Sequence, residues 1–205
     1  MGASAKLKVV DSGAAVSATP VSCDKERLER LRQIIASKSL LRGKFTLSSG
    51  RTSDYLFQLR QTTLHSEGAL LIAELIIEFM KSRRLTCIGG LVEGAVPIVS
   101  SIAPISLQKG YPINAFFVRK ERKKHGAMEL IDGYMDRESE VLLVDDVTTS
   151  GKSMLDAIAG MKQDGYSRPV TQALSIMDRE EGAADNLAKE GICLYSFLRT
   201  SDFDI

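Results

Sequence analysis

The sequence predicts an α/β protein with a mainly parallel central sheet flanked by helices. Three observations lead there. From residue 87 onward, short apolar runs alternate with helically patterned stretches. The 205 residues suit one domain large enough to bury an ordinary core. The composition, 44% hydrophobic and 26% charged, is that of an average globular protein.

The 27 Lys and Arg against 26 Asp and Glu leave a net charge of +1, which argues against a general nucleic-acid or membrane-surface binder. No apolar run reaches the roughly 18 residues of a membrane span. The three cysteines, Cys23, Cys87 and Cys193, are widely spaced and form neither a disulfide framework nor a zinc pattern. Reduced thiols in a cytoplasmic compartment are expected, each a small buried hydrophobe. Residues 1–20 are rich in Ala, Ser, Gly and Val and lack the apolar core of a secretory signal, so they read as a loosely ordered tail before a domain at 21–205.

Within that domain, Leu28, Leu31, Ile34 and Ile35 have helical spacing between Asp24 and Leu40. Residues 45–50 and 55–59 read as two short strands around a turn. Ser66 is a candidate cap for a helix running to about Arg84, apolar nearly all round and therefore buried. His65, just before it, reads as structural or capping. Residues 87–91 form a strand ending in glycines. A helix over 95–109 tolerates Pro97 in its first turn and should kink at Pro104. Strands follow at 114–118 and 141–144. A helix from Gly151 to Gln163 shows Met154, Leu155, Ile158 and Met161 on one face. A strand at 173–177, a helix at 181–190 and a strand at 192–198 complete the pattern. Ligands of such sheets bind at the carboxyl ends of the strands.

The segment after strand 141–144 carries the strongest chemical signal: Asp145-Asp146-Val147-Thr148-Thr149-Ser150-Gly151-Lys152-Ser153. The turn and the helix N-terminus that follows offer unpaired N–H groups and a positive dipole, which suit a phosphate dianion. Thr148, Thr149, Ser150 and Ser153 add donors without negative charge, and Gly151 permits close approach. Asp145 and Asp146 are placed to accept hydrogen bonds from vicinal sugar hydroxyls or to help hold a divalent cation. A phosphate site beside a diol site suits a ribose 5-phosphate. The spacing matches neither a P-loop nor a G-x-G-x-x-G fingerprint; the bland alternative is an acid pair that merely caps the helix. A second constellation, Arg119-Lys120-Glu121-Arg122-Lys123-Lys124-His125-Gly126, follows strand 114–118. Its cations suit the neutralisation of a polyanionic leaving group, on a loop able to close and exclude water. His125, among cations, is suited to hydrogen bonding as neutral imidazole.

The acid pair with its Thr-Thr-Ser-Gly turn resembles the phosphoribosyl-pyrophosphate (PRPP) signature of type I phosphoribosyltransferases. Within that group, Arg119-Lys120-x-x-Lys123-x-His125-Gly126 resembles the catalytic loop of the orotate phosphoribosyltransferase family. Phe45-Thr-Leu-Ser-Ser-Gly-Arg-Thr-Ser-Asp-Tyr55 is similar to its N-terminal hairpin, and Ile176-Met-Asp-Arg179 to its substrate-side strand. Gly89-Gly90 to Pro97 takes the place of its pyrophosphate-facing loop. The resemblance runs from about residue 25 to the C-terminus and implies the type I fold with a small N-terminal hood. It further implies transfer of the 5-phosphoribosyl group from PRPP to N1 of orotate, with Mg²⁺ carried mainly by PRPP and pyrophosphate. Also implied is a homodimer whose 119–126 loop reaches the neighbouring site. By the resemblance, Lys123, His125 and Asp146 are catalytic and Arg119 and Lys120 hold the diphosphate. Asp145 and Asp146 bind the ribose hydroxyls, residues 147–153 cradle the 5-phosphate, and Thr149 and Arg179 contact orotate. No nucleic-acid or membrane partner is expected. Ser48 stands where the family often has lysine, and Val92-Glu93-Gly94 where it often has Tyr-Lys-Gly. A phosphoribosyltransferase for another base, or a non-catalytic PRPP-binding regulator, are the alternatives.

Overall fold

The computed structural model describes residues 18–46, 52–122 and 129–205. Ser48, Lys123 and His125 lie outside the described residues.

In chain order the elements are β1 (Thr19–Pro20), α1 (Lys25–Ile34), β2 (Leu40–Thr46), β3 (Thr52–Phe57), α2 (Arg60–Thr63), α3 (Ser66–Arg83), β4 (Cys87–Gly89), α4 (Ala95–Gln108), β5 (Asn114–Val118), β6 (Ile131–Gly133), β7 (Val141–Thr148), α5 (Lys152–Gln163), β8 (Gln172–Asp178), α6 (Ala183–Lys189) and β9 (Cys193–Arg199). One seven-stranded sheet runs β1-β9-β8-β7-β4-β5-β6, parallel throughout except for β6 against β5. Helices cover both faces, so the uninterrupted apolar run Val141-Leu-Leu-Val144 is buried on both sides. Leu142 and Val144 join Leu31, Leu75, Ile76, Ile88 and Ile102 in one core cluster. Val141 and Leu143 face Phe116, Met154, Ala157, Met161 and Leu187 in the other.

The chain leaves β4 for β5 on one side, then returns to place β7 on the other. The strand order therefore reverses between β4 and β7, and a crevice opens at their carboxyl ends.

Helix α1 is capped by Asp24, whose carboxylate accepts from the N–H of Glu26 and Arg27 at 3.0 and 3.1 Å. It ends in one π turn over Ile35–Ser39. Arg27–Glu78 and Arg30–Glu67 ion pairs tie it to α3. His65 caps α3, its Nδ1 accepting from the N–H of Gly68 at 3.4 Å. Ser66 is the first helical residue, not the cap. Helix α4 continues through Pro104 to Gln108.

Several sequence expectations shift. The hairpin strands were expected at 45–50 and 55–59; among the described residues they are β2 and β3, with an irregular register between Arg42 and Phe45. Most of β2 is exposed, so it carries no alternation of apolar residues for the sequence to show. Strand β7 continues four residues beyond Val144, placing both aspartates inside the strand instead of after it. Short elements β6 and α2 had no sequence signal. Residues 18–20, counted with the tail, bring the buried Ala18 and the edge strand β1 into the sheet. Of the cysteines only Cys87 is fully buried; Cys193 opens β9 beside the two-residue edge strand and is exposed, and Cys23 is half-buried.

Candidate active site

Strand β7 carries the acid pair to the switch point. The Asp146 N–H donates to Asp145 Oδ1 at 3.0 Å, and the Val147 N–H donates to Asp146 Oδ1 at 2.8 Å. Each carboxylate is thus set by the backbone that follows it. Asp145 is only 7% exposed. Burial, reinforced by the Asp146 charge, holds its carboxyl well above the usual carboxylate range, and a Ser153 hydrogen bond opposes that shift.

The loop after β4 is fitted against this pair. A Cβ at Gly94 would stand 2.1 Å from Asp145 Oδ1 and 2.8 Å from Asp146 Oδ1. A Cβ at Gly90 would stand 2.1 Å from the Val144 carbonyl oxygen. Glycine at both positions lets the loop lie directly on the end of β7. Between them Glu93 takes a left-handed φ of +84°. Its carboxylate meets Lys120 Nζ at 3.3 Å, in a pair exposed to solvent.

A cavity of about 380 Å³ opens here. The acid pair, Val147 and Ser153 form its floor. Val92, Glu93, Gly94 and Lys120 form one wall, and Leu56, Phe57, Gln58 and Arg60 form the other. Thr149 and Ser150 are exposed in the adjoining turn, with the Ser150 carbonyl held by Asn186 Nδ2 at 3.0 Å. Gly151 closes the turn with a φ of +78° and starts α5. That leaves the first N–H groups of a twelve-residue helix facing the turn.

The predicted residues are not all gathered in one place. Lys120, Asp145, Asp146, Val147 and Ser153 share the cavity. Thr148 is 2% exposed at the end of β7, and its Oγ1 has no hydrogen-bond partner among the described residues. Lys152 projects outward to pair with Asp156. Arg119 pairs with Asp132, its guanidinium 5.7 Å from the Phe117 ring centroid. With Lys120 and Arg122 it lines a separate groove over α5. Arg179 lies behind the hairpin, bonded through its backbone N–H to the Thr148 carbonyl at 2.9 Å. Its guanidinium is 5.1 Å from the Tyr55 ring centroid and 3.0 Å from a Glu181 oxygen. Sequence reasoning missed Gln58 and Arg60. They sit just beyond the hairpin, Arg60 as the first residue of the unforeseen α2, and both line the cavity.

A parallel sheet with an acid pair and a hydroxyl-rich turn at its switch point is the arrangement expected of the type I phosphoribosyltransferase fold. The fold agrees: an adenine phosphoribosyltransferase from Leishmania donovani superposes with a TM-score of 0.60 at 17% identity, over 91% of this chain and 86% of that one. No protein-family model matches the chain. Among curated proteins, the orotate phosphoribosyltransferase of Bradyrhizobium diazoefficiens is 44% identical over 178 residues, 85% of this chain and 94% of that protein. The orotate phosphoribosyltransferase of Aquifex aeolicus is 38% identical over 87% of this chain and 97% of its own length. The Mycobacterium tuberculosis orotate phosphoribosyltransferase in complex with PRPP superposes with a TM-score of 0.70 at 34% identity, over 86% of this chain and 98% of that one. The chain belongs to the orotate phosphoribosyltransferase family.

Proposed function

We propose that the protein transfers the 5-phosphoribosyl group from PRPP to N1 of orotate, giving orotidine 5′-monophosphate and pyrophosphate, a step of pyrimidine biosynthesis. The observation that carries this reading is the Asp145-Asp146 pair, held at the sheet's switch point beside a hydroxyl-rich turn, in a chain of this family.

In this reading the turn at 147–153 and the start of α5 hold the 5-phosphate. Asp146, with Asp145, accepts hydrogen bonds from the ribose hydroxyls and faces the sugar as it gains oxocarbenium character. The bond from the anomeric carbon to pyrophosphate oxygen breaks, and a bond to orotate N1 forms. Lys120, already at the cavity wall, approaches the departing diphosphate. Arg119, Lys123 and His125 join it from the basic loop. Thr149 and Arg179 recognise orotate, the guanidinium fork matching a planar carboxylate. A neutral base offers the guanidinium no anion to grip, which favours orotate over other bases.

Among the described residues no cluster of three or more His, Cys, Asp or Glu stands ready to hold a metal. The donor set fits a magnesium ion that takes its ligands mainly from substrate oxygens and water, with Asp146 at hand. A magnesium ion so held would supply neutralisation of charge on the pyrophosphate. Among the described residues no helix is long and apolar enough to cross a membrane. The free thiols suit a cytoplasmic enzyme. A homodimer with the 119–126 loop reaching the partner's site completes the reading.

Orotate consumption followed by ultraviolet absorbance, with PRPP and Mg²⁺, tests it. Turnover that requires Mg²⁺ and collapses in Lys123→Ala is expected. No turnover by a folded protein that binds PRPP overturns the orotate assignment. Mixing Lys123→Ala with Asp146→Asn subunits tests the shared loop. Half of randomly mixed dimers carry one intact site, so about a quarter of the activity returns if the loop crosses the interface. None returns if each loop serves its own site.

A further inference from the structure

Arg179 is 8% exposed, and its Nε makes no hydrogen bond among the described residues. Burying a guanidinium is costly unless an anion accompanies it. The anion here comes from the next turn: Glu181 Oε1 lies 3.0 Å from an Arg179 terminal nitrogen, and the Tyr55 ring stacks near the guanidinium at 5.1 Å. The backbone carrying these residues is fixed. Glu180, with a left-handed φ of +58°, accepts from the Ser201 N–H at 2.9 Å and from its hydroxyl at 3.1 Å. The Glu180 N–H in turn donates to Asp178 at 2.9 Å. The Glu181 side chain keeps 23% exposure, so its carboxylate already borders water.

We propose that the Glu181 carboxylate is a built-in stand-in for the carboxylate of the anionic base on Arg179, and that its displacement sets the selectivity for such a base. The inference rests on the reading that Arg179 grips orotate. Charge decides the direction. One buried cation neutralises one carboxylate; a second arriving beside it leaves an excess negative charge in a poorly solvated place. An anionic base therefore exchanges like for like and sends Glu181 to water. A neutral base supplies no replacement, so Glu181 stays and the base gains nothing from Arg179. Glu181 acts as a specificity-determining residue that competes with substrate, at the cost of some affinity.

The test compares Glu181→Gln with the wild-type enzyme at saturating PRPP. The uncharged side chain of the same length removes the competing anion. The KM for orotate is expected to fall about fivefold, with the KM for PRPP and inhibition by uracil unmoved. An orotate KM that stays level or rises overturns the proposal and makes Glu181 a residue that positions Arg179. Arg179→Gln, checked for folding by its melting rise with PRPP, separates the two readings. Loss of the preference for orotate over uracil upholds the grip of Arg179, whatever Glu181→Gln shows. A preference left intact overturns both. Should Arg179→Gln not fold, the orotate and uracil arms of Glu181→Gln still decide the proposal.

Discussion

Asp145 is a carboxyl that folding prefers protonated, because burial and the neighbouring Asp146 both oppose its charge. Its pKa is higher folded than unfolded. Its favourable contribution is therefore complete below the ordinary carboxylate range near pH 4 and is lost as pH rises toward the raised value. Asp145→Asn should raise the melting temperature of the ligand-free protein by roughly 2–4 °C at pH 8, and the gap should close near pH 4. A variant that melts lower than wild type at pH 8 contradicts this. Its partner behaves differently: Asp146→Asn should lower kcat/KM for PRPP by about a hundredfold with little change in melting, since it loses an acceptor for the sugar. The cysteines offer an independent check of burial. Desolvation pushes the Cys87 thiol up to about 11, whereas Cys193 is exposed. A thiol reagent at pH 8 should modify Cys193 first and Cys87 only after unfolding, as peptide mapping would read.

Two glycines on one loop separate fold from site at the scale of the element. A methyl group at Gly90 meets a backbone carbonyl of β7, which cannot yield without disturbing the sheet. Gly90→Ala should cost about 1–3 kcal/mol of stability in a denaturant titration. At Gly94 the obstructing atoms are the two aspartate oxygens, and the φ of −74° suits any residue. Gly94→Ala should spread the acid pair and raise the KM for PRPP by about tenfold or more, with the smaller stability loss. Equal stability losses with an unchanged KM would refute the distinction. On the same loop Glu93, where the family often has lysine, lines the cavity, and its charge is met by Lys120 at 3.3 Å.

Across the whole molecule, the substrate should act as a brace. The hairpin wall, the loop after β4 and the end of β7 all line the cavity. A ligand filling it at a hundred times its dissociation constant adds about 2.7 kcal/mol. PRPP with Mg²⁺ should therefore raise the melting temperature by roughly 5–10 °C in wild type and far less in Asp146→Asn. An equal rise in both would remove the acid pair from the ribose site. The hairpin itself is fastened from afar: Phe57 meets Phe203 edge-on at 5.3 Å, and Arg42 donates to the Asp204 carbonyl at 2.8 Å. The last residues of the chain thus help hold the wall of the cavity.

By itself the sequence determined the alternation of strands and helices, because a buried parallel strand must be an apolar run and the helix over it must show a face. It also singled out Asp145 to Ser153 as a candidate phosphate and diol site, because these residues lie consecutively and their chemistry is local. Tertiary structure decided what depends on distant segments meeting. The extension of β7 through Thr148 follows from pairing with β8, which hydrophobic pattern does not encode. The same holds for exposed β2, which shows its partner only through register with β3. The placement of Arg60 on the cavity wall follows from a four-residue helix, and the pairing of Arg179 with Tyr55 unites residues over a hundred positions apart. Local periodicity and local chemistry are written along the chain, whereas charge neutralisation and close approach arise only between segments that folding brings together.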